Sequence, residues 1–163
     1  MHAGPTQLAQ VVACHVSYTE YANLRSVTDK QGSLGLDGLP RILVVDDEPG
    51  ILFGMRDLLE DEFVVLTSES PEEALRIVQP ETAPAVVVSD MRMPRMDGNE
   101  LLTKVRARSS ATRIICSGYA DVESILRAVN EAHIFAFVPK PWDSAQLRQM
   151  IREAVELFRA ARP

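Results

Sequence analysis

Five polar side chains in this sequence each follow a short apolar run, and their types suit phosphoryl chemistry. They are Asp46, Asp47, Asp90, Ser117 and Lys140, and the runs before them are Ile42 to Val45, Ala85 to Ser89, Ile114 to Cys116 and Phe135 to Pro139. Carboxylates bind divalent cations, and an aspartate can act as a nucleophile towards phosphorus. A hydroxyl and an ammonium can in turn stabilise phosphoryl oxygens. The set therefore predicts a pocket for a divalent cation and a phosphoryl group, provided that the fold brings the side chains together.

The apolar runs alternate with helical patterns from Arg41 onward, which favours βαβ units and a parallel sheet. The predicted strands are Arg41 to Val45, Phe63 to Thr67, Ala85 to Ser89, about Arg113 to Cys116, and Phe135 to Val138. The predicted helices run from Pro49 to Glu60, from Pro71 through Val78, from Gly98 or Asn99 to about Arg108, from Asp121 to about Glu131, and onward from the cap-like pair Asp143 and Gln146. This alternation predicts an α/β fold, a flavodoxin-like (βα)5 three-layer sandwich whose parallel five-stranded sheet has the order 2-1-3-4-5. The carboxyl ends of the strands then share one edge, where such sheets bind ligands.

Composition and charge argue against several classes of protein. With 163 residues, 46% of them hydrophobic and 6% aromatic, the chain is long enough for one ordinary globular domain. No apolar run approaches the roughly 20 residues of a membrane-spanning helix, and residues 1 to 30 lack a basic start followed by an apolar stretch. A formal net charge of −6 argues against sequence-independent binding of nucleic acid. The sequence thus predicts a cytoplasmic protein with no membrane contact and no direct nucleic-acid binding.

Residues 1 to 40 differ in composition from the rest of the chain. The segment from Lys30 to Pro40 contains Gly32, Gly35 and Gly38, which is typical of a flexible joint. We therefore divide the chain into an N-terminal extension with a Gly-rich linker at 1–40, either disordered or partly helical, and a folded domain at 41–160.

Four motifs at the strand ends carry a family resemblance. They are Val44-Val45-Asp46-Asp47-Glu48, Ser89-Asp90-Met91-Arg92-Met93-Pro94-Arg95-Met96-Asp97-Gly98, Ser117-Gly118-Tyr119-Ala120 and Lys140-Pro141. Together and in this order they resemble the receiver domain of bacterial two-component response regulators, over about Arg41 to Arg159. The resemblance implies a signalling module controlled by phosphorylation, and not a turnover enzyme.

The resemblance also implies that Asp90 is the phosphoacceptor and that Mg²⁺ is the cofactor. Asp47 and Asp90 would bind the cation directly, Asp46 would act through water, and the backbone carbonyl of Arg92 would complete the set. A cation is needed physically because an anionic carboxylate and an anionic phosphoryl group repel each other. The competing interpretation is that Asp46 and Asp47 only cap the helix that follows them.

By the same resemblance, Lys140 pairs with a carboxylate before phosphorylation and with a phosphoryl oxygen afterwards, and its bond to Pro141 is cis. Ser117 would donate its hydroxyl to the new phosphoryl group, and this pull would move the loop that runs on to Asp121. Phe137 holds the position of a switch aromatic, although an aromatic that simply fills the core is an equal alternative.

The resemblance further implies partners on two sides of the domain. A sensor histidine kinase or phosphotransfer protein would supply the phosphoryl group, and a downstream protein or attached output domain would meet the fourth helix, fifth strand and last helix. Trp142 lies on that output side, either as an anchor for a partner or homodimer or as a hydrophobic lid on the last helix. Arg92 and Tyr119 would lie at the pocket mouth, where we expect the bulky Tyr119 to hinder the hydrolytic water.

Two other functions are weighed against this one. A degenerate receiver would serve as a docking scaffold without phosphorylation, although the complete set of polar residues argues against it. A hydrolase of the haloacid dehalogenase type also combines an aspartate, Mg²⁺, a hydroxyl and a lysine, but its nucleophile lies on the first strand in an Asp-x-Asp motif, where this chain has Asp46-Asp47-Glu48. The sequence is consistent with a stand-alone receiver and with the receiver part of a longer protein.

Overall fold

A single parallel sheet lies at the centre of the computed structural model, which describes residues 38–119 and 121–161. Its strands are β1 Arg41–Val45, β2 Val64–Ser68, β3 Val86–Ser89, β4 Thr112–Ser117 and β5 Ala136–Pro139. Every neighbouring pair is parallel, and the order across the sheet is β2-β1-β3-β4-β5. The predicted flavodoxin-like arrangement is therefore confirmed.

Five helices follow the strands in the described part of the chain. They are α1 Pro49–Leu59, α2 Pro71–Ile77, α3 Gly98–Arg108, α4 Val122–Arg127 and α5 Ser144–Ala160. The last four begin at a capping side chain that accepts a hydrogen bond from the backbone N–H three residues later; these caps are Ser70, Asp97, Asp121 and Asp143. Each cap satisfies one of the N–H groups that a helix start leaves unpaired, and so fixes the point where a loop becomes a helix.

Two separate apolar clusters cover the two faces of the sheet. One contains Ile42, Val44, Val86 and Val88 of the central strands and packs them on α1 and α5. The other contains Leu43, Val45, Val87 and Ile115 and packs them on α2, α3 and residues 128–134. Successive residues of a strand point to opposite faces, so continuous apolar runs are needed to supply both clusters. The result is the three-layer sandwich that the sequence predicts.

The fourth helix is not the uniform helix that the sequence predicts. Instead of running to about Glu131, α4 ends at Arg127, and Ala128–Ala132 form a π-helix. The N–H of Ala128 donates to the carbonyls of both Ser124 and Ile125 at the junction. The carbonyl of Ser124 also accepts a hydrogen bond from the side chain of Asn99 in α3. This contact comes from another element, so the local sequence pattern could not reveal it.

The remaining differences from the predicted elements are small. Strands β2, β3 and β5 each begin one residue later than predicted, although Ala85 and Phe135, just before β3 and β5, still donate N–H bonds to the neighbouring strands at 2.8 and 2.7 Å. Residues 1–37 of the predicted extension lie outside the described residues, and the division near residue 40 stays a prediction. In the portion that is described, none of the helices combines the length and the apolar character needed to cross a bilayer.

Two glycines lead to opposite expectations for stability. A Cβ added at Gly54, within α1, would meet Trp142 at 3.9 Å, whereas a Cβ at Gly98 would lie 2.1 Å from the carbonyl oxygen of Asp90. Because glycine weakens a helix interior, Gly54→Ala should raise the free energy of unfolding by about 0.5–1 kcal/mol. Gly98→Ala should lower it by about 2 kcal/mol or more, because the backbone must move apart. Urea unfolding measures both variants, and a loss of stability in Gly54→Ala would contradict the open packing at that position.

Candidate functional site

The strand ends meet along one edge of the sheet, as the register of the strands requires. Val45 at the end of β1 lies beside Ser68 of β2 and Ser89 of β3, and Ser117 at the end of β4 lies beside Pro139 of β5. The residues that follow these positions emerge side by side. The edge accordingly carries all of the polar side chains predicted for the pocket: Asp46, Asp47, Asp90, Ser117 and Lys140.

Three carboxylates form the acidic part of this edge. One oxygen from each of Asp46, Asp47 and Asp90 lies within 4.8 Å of the others. Asp46 and Asp90 are buried, whereas Asp47 is exposed. Burying like charges this close together is unfavourable unless a cation compensates for them.

Lys140 provides the positive charge within the protein. Its Nζ lies 2.5 Å from Oδ2 of Asp46 and 3.2 Å from Oδ1 of Asp90, so one ammonium bridges two buried carboxylates. Burial lowers the pKa of Lys140, but the hydrogen bond to Asp46 and the charges of both aspartates raise it by more. The pKa therefore lies above its usual value. The lysine therefore stays protonated throughout the neutral range.

Asp46 is held from two sides, and it does not cap α1. Besides the contact with Lys140, its Oδ1 accepts a hydrogen bond from the N–H of Glu48 at 2.9 Å. Glu48 itself holds the capping position of α1, and no side-chain bond caps that helix. Burial raises the pKa of Asp46 more than the bonds to Lys140 and to the Glu48 N–H lower it. The interpretation of the aspartate pair as simple helix caps is therefore wrong for Asp46.

The donor set fits a hard divalent cation. Such ions take oxygen ligands, and Mg²⁺ usually combines one or two protein carboxylates with several waters. Asp47 offers an exposed carboxylate next to the buried oxygens of Asp46 and Asp90. Each oxygen of Asp46 and of Asp90 already accepts one hydrogen bond, so the division into direct and water-mediated contacts stays a prediction. The predicted contact of the Arg92 carbonyl stays a prediction.

The backbone around Asp90 is held by three contacts that the sequence did not reveal. Its Oδ2 accepts the N–H of Arg92 at 3.2 Å, and its carbonyl oxygen accepts the buried hydroxyl of Ser89 at 2.8 Å. The carbonyl also packs against Gly98, where no side chain fits. Gly98 is the first helical residue after the capping Asp97. A glycine at this position is the sequence signal that could have identified the close approach of the Asp90 carbonyl. Nothing in the local pattern singles out Ser89.

Ser117 and the predicted mouth residues lie together beside the acidic cluster. Ser117 is buried, its Oγ accepts the N–H of Tyr119 at 3.3 Å, and its carbonyl accepts the N–H of Lys140 at 3.0 Å. The guanidinium carbon of Arg92 lies 3.3 Å from the centroid of the Tyr119 ring, a cation–π contact between the loops after β3 and β4. Both Arg92 and Tyr119 are exposed. The two residues predicted at the mouth are thus one stacked pair.

Two aromatic residues predicted to act in output have contacts of different kinds. Phe137 is half-buried on β5 and packs on the cluster that covers α2 and α3. Trp142 is half-buried and packs on the opposite cluster, with its ring near Gly54 of α1. This packing agrees with the interpretation of Trp142 as a lid, while its role in binding a partner stays a prediction. The bond between Lys140 and Pro141 is cis, as predicted.

Removing the lysine charge should destabilise the fold in a pH-dependent way. In Lys140→Met, Asp46 and Asp90 lose their cation, so the free energy of unfolding should fall by about 3 kcal/mol at pH 7. The pKa of Asp46 is higher in the folded protein than its unfolded value of 3.8. The buried charge therefore lowers the free energy of unfolding only as the pH rises from 3.8 through the folded pKa. The deficit should therefore shrink as the pH is lowered towards about 4.

Urea unfolding at several pH values measures this deficit, and Lys104→Met is the matched control. Lys104 pairs with Glu100 on the exposed face of α3 at 2.8 Å, and its loss should cost less than about 0.5 kcal/mol at any pH. A deficit for Lys140→Met that is constant between acidic and neutral pH would contradict the compensation of buried carboxylates.

Comparison with known proteins agrees with this geometry. The family model of the response regulator receiver domain matches residues 42–152. The hydrogenase transcriptional regulatory protein HoxA of Cupriavidus necator is 41% identical over 116 residues, which are 71% of this chain and 24% of that protein. The matched region is about a quarter of the length of that protein, of HoxA from Bradyrhizobium diazoefficiens and of the transcriptional regulatory protein GlrR of Escherichia coli.

Solved structures give the same result. The signal receiver domain of an HD domain-containing protein from Pseudomonas fluorescens Pf-5 has a TM-score of 0.71 and 31% identity, and the match covers 75% of this chain and 98% of that one. A CheY-like response regulator receiver domain protein from Methanospirillum hungatei JF-1 has a TM-score of 0.70 and 30% identity, with the same coverage of 75% and 98%. With the matching motifs, the strand order and the acidic edge, these likenesses show that the chain belongs to the response regulator receiver family.

Proposed function

We propose that this receiver domain accepts a phosphoryl group on Asp90 and thereby switches a partner in two-component signalling. One observation carries the proposal: the Asp90 carboxylate is held by Lys140 at 3.2 Å and by the Arg92 N–H at 3.2 Å, within 4.8 Å of two further carboxylates. A nucleophile must be held in a defined orientation to react efficiently, and these contacts orient it. The neighbouring carboxylates of Asp46 and Asp47 are suited to bind a cation.

The reaction we propose is a transfer of the phosphoryl group to a carboxylate oxygen. A new bond forms between an Asp90 oxygen and phosphorus while the bond from phosphorus to the donor breaks, either to the nitrogen of a phosphohistidine or to the oxygen of a small acyl phosphate. The leaving group carries away the electron pair of that bond. Mg²⁺, held by Asp47 and Asp90 with the Arg92 carbonyl, would supply charge compensation between the two anions.

Lys140 and Ser117 would distinguish the modified from the unmodified state. The Lys140 ammonium can exchange its contact with the Asp90 oxygen for one with a phosphoryl oxygen, without leaving Asp46. The buried hydroxyl of Ser117 would donate to another phosphoryl oxygen and draw the following loop inward. A modification shifts an equilibrium only through such differences in interaction between two states. Phe137, half-buried on β5, would follow the loop by packing alone.

The output that we propose is a change in the surface formed by α4, β5 and α5. On this side Tyr119, Val122 and Leu126 are large apolar side chains that are 48%, 74% and 54% exposed. An attached output domain or a downstream protein would bind there, and a homodimer is an alternative use of the surface. Names such as that of HoxA, a transcriptional regulatory protein, describe relatives of which the match covers only 24%, so an output domain on the same polypeptide is part of this proposal.

The same proposal covers the input partner and the setting. A sensor histidine kinase or phosphotransfer protein in the cytoplasm would donate the phosphoryl group, and the domain would turn over no substrate other than its own acyl phosphate. A scaffold that ignores phosphorylation and a hydrolase with steady turnover are the alternatives that the following experiment separates.

Intact mass after incubation with acetyl phosphate tests the acceptor directly. The wild type should gain one phosphoryl group in a Mg²⁺-dependent, saturable manner, and Asp90→Asn should gain none because the amide is not a nucleophile. Asp61→Asn, which removes an exposed carboxylate outside the acidic cluster, is the matched control and should be labelled like the wild type. Trp142 fluorescence during titration with Mg²⁺ and beryllofluoride provides an independent signal.

Each outcome of this experiment selects one function. A folded wild type that binds Mg²⁺, gains no phosphoryl group and releases no phosphate would be a scaffold. Steady release of phosphate without the gain of a phosphoryl group would indicate a hydrolase. Labelling that persists in Asp90→Asn would place the acceptor at another residue.

The stack of Arg92 on Tyr119 should prolong the phosphorylated state. The exposed pair lies over the loops that flank the pocket, so it should restrict the approach of a hydrolytic water to the acyl phosphate. Tyr119→Ala should therefore speed the loss of the phosphoryl group by roughly tenfold, corresponding to about 1.4 kcal/mol in the barrier. Tyr119→Phe, which keeps the ring and the cation–π contact, serves as the control. The loss is followed by intact mass after removal of the donor, and an unchanged rate in Tyr119→Ala would refute this role.

A further inference from the structure

The helix α4 is weakly held to the body of the domain. None of its residues is buried between Val122 and Arg127, all of which are described, and Val122 and Leu126 are 74% and 54% exposed. So short a helix has little stability of its own and depends on contacts with its surroundings. The contact that docks α4 therefore determines where the helix lies.

Asn99, at the start of α3, provides a polar contact of this kind. Its Nδ2 donates to the carbonyl of Ser124 at 3.1 Å, and the residue is only 1% exposed. A carbonyl oxygen can only accept, so the contact fixes which end of the amide faces α4. The carbonyl of Ser124 is also one of the two carbonyls that accept the N–H of Ala128. Ala128 is the residue at which α4 gives way to the π-helix.

In the described part of the chain, the oxygen end of the same amide has no hydrogen-bond partner. Among residues 38–119 and 121–161, the Oδ1 of Asn99 is a buried oxygen that accepts no hydrogen bond. Folded proteins seldom leave a buried acceptor in this condition, because the lost contacts with water are not replaced. An amide with one end paired and the other unpaired, beside a weakly held helix, is poised to rearrange.

The carbonyl end of the same segment is held much more firmly. Arg113, which is buried in β4, donates to the carbonyls of Ala132 and His133 at 2.8 and 3.2 Å, and Arg106 of α3 donates to that of Glu131 at 3.1 Å. Cationic donors at the carbonyl end of a helix also match its dipole. One end of this segment is thus held by charged donors and the other by a neutral amide.

Asn99 directly follows the glycine that packs on the acceptor. A Cβ at Gly98 would lie 2.1 Å from the Asp90 carbonyl oxygen, and the N–H of Gly98 donates to the Met91 carbonyl at 2.8 Å. A movement of the backbone at Asp90 must therefore displace Gly98, and with it the amide that docks α4.

We infer that Asn99 is a positioning residue that couples Asp90 to α4 through the start of α3, independently of the loop after Ser117. The inference rests on the proposed function, since it takes Asp90 as the residue that is modified. In the unmodified domain the Asn99 amide restrains α4, and modification of Asp90 changes that restraint. Coupling of this kind needs direct evidence from both ends of the path.

Hydrogen exchange of the backbone amides at 122–132 tests the restraint in the unmodified protein. The variants are Asn99→Ala and Asn99→Leu, of which the second keeps more of the side-chain volume if the first does not fold. The matched control is Thr103→Ala, which removes a hydroxyl that donates to the Asn99 carbonyl at 2.8 Å but leaves the Asn99 amide in place. Exchange should be about fivefold or more faster in the Asn99 variants, and within about twofold of the wild type in the control. Wild-type exchange in the Asn99 variants, or an equal increase in the control, would overturn the inference.

A second comparison, after incubation with acetyl phosphate and Mg²⁺, tests the coupling. Labelling of the wild type should change exchange at 122–132, and in equally labelled Asn99 variants this change should be smaller by about threefold or more. A full change in the labelled variants would overturn the coupling. A wild type that is never labelled would refute the proposed function and the coupling with it, while the unmodified proteins would still decide whether Asn99 restrains α4.

Discussion

The confinement of two buried carboxylates at one sheet edge is the constraint on which the rest of this domain depends. Asp46 follows β1 and Lys140 follows β5, with β3 and β4 between them, so the strand axes are about 14 Å apart at a spacing of roughly 4.8 Å per strand. Nζ of Lys140 nevertheless reaches both Asp46 and Asp90. One ammonium thereby ties together the ends of three strands, and its position decides how much negative charge the edge can hold.

The same arrangement separates what is fixed from what can change. The backbone of Asp90 is held through its carbonyl by the Ser89 hydroxyl and by close packing against Gly98. Its side chain, by contrast, contacts Lys140 and an N–H group of its own loop, and such contacts can be exchanged for others. A chemical change at the carboxylate therefore exchanges side-chain contacts directly, and it reaches Gly98 only through the tightly packed carbonyl. A small change at the Asp90 carboxylate therefore alters a defined set of contacts.

The sequence predicts the parts of this domain that arise from local patterns. Continuous apolar runs identify the strands, residues such as Ser70 and Asp143 identify helix starts, and the order of polar residues after the runs identifies the pocket. It does not predict features that arise when separate elements meet. Asn99 looks like an ordinary polar residue in a first helical turn, yet it is buried, and its amide donates to a carbonyl of another helix. The stack of Arg92 on Tyr119 likewise joins two loops whose distance no local pattern encodes.

The two apolar clusters on opposite faces have a consequence for how such a domain can diversify. The clusters meet only through the backbone of the strands, because alternate side chains of β1 and β3 belong to different clusters. Substitutions in α1 or α5 and substitutions in α2 or α3 should therefore contribute almost additively to the free energy of unfolding, because the two sets of side chains belong to different clusters. Each face can therefore accumulate mutations independently of the other. A domain of this kind can acquire a new binding partner on one side while it still binds an established partner on the other side.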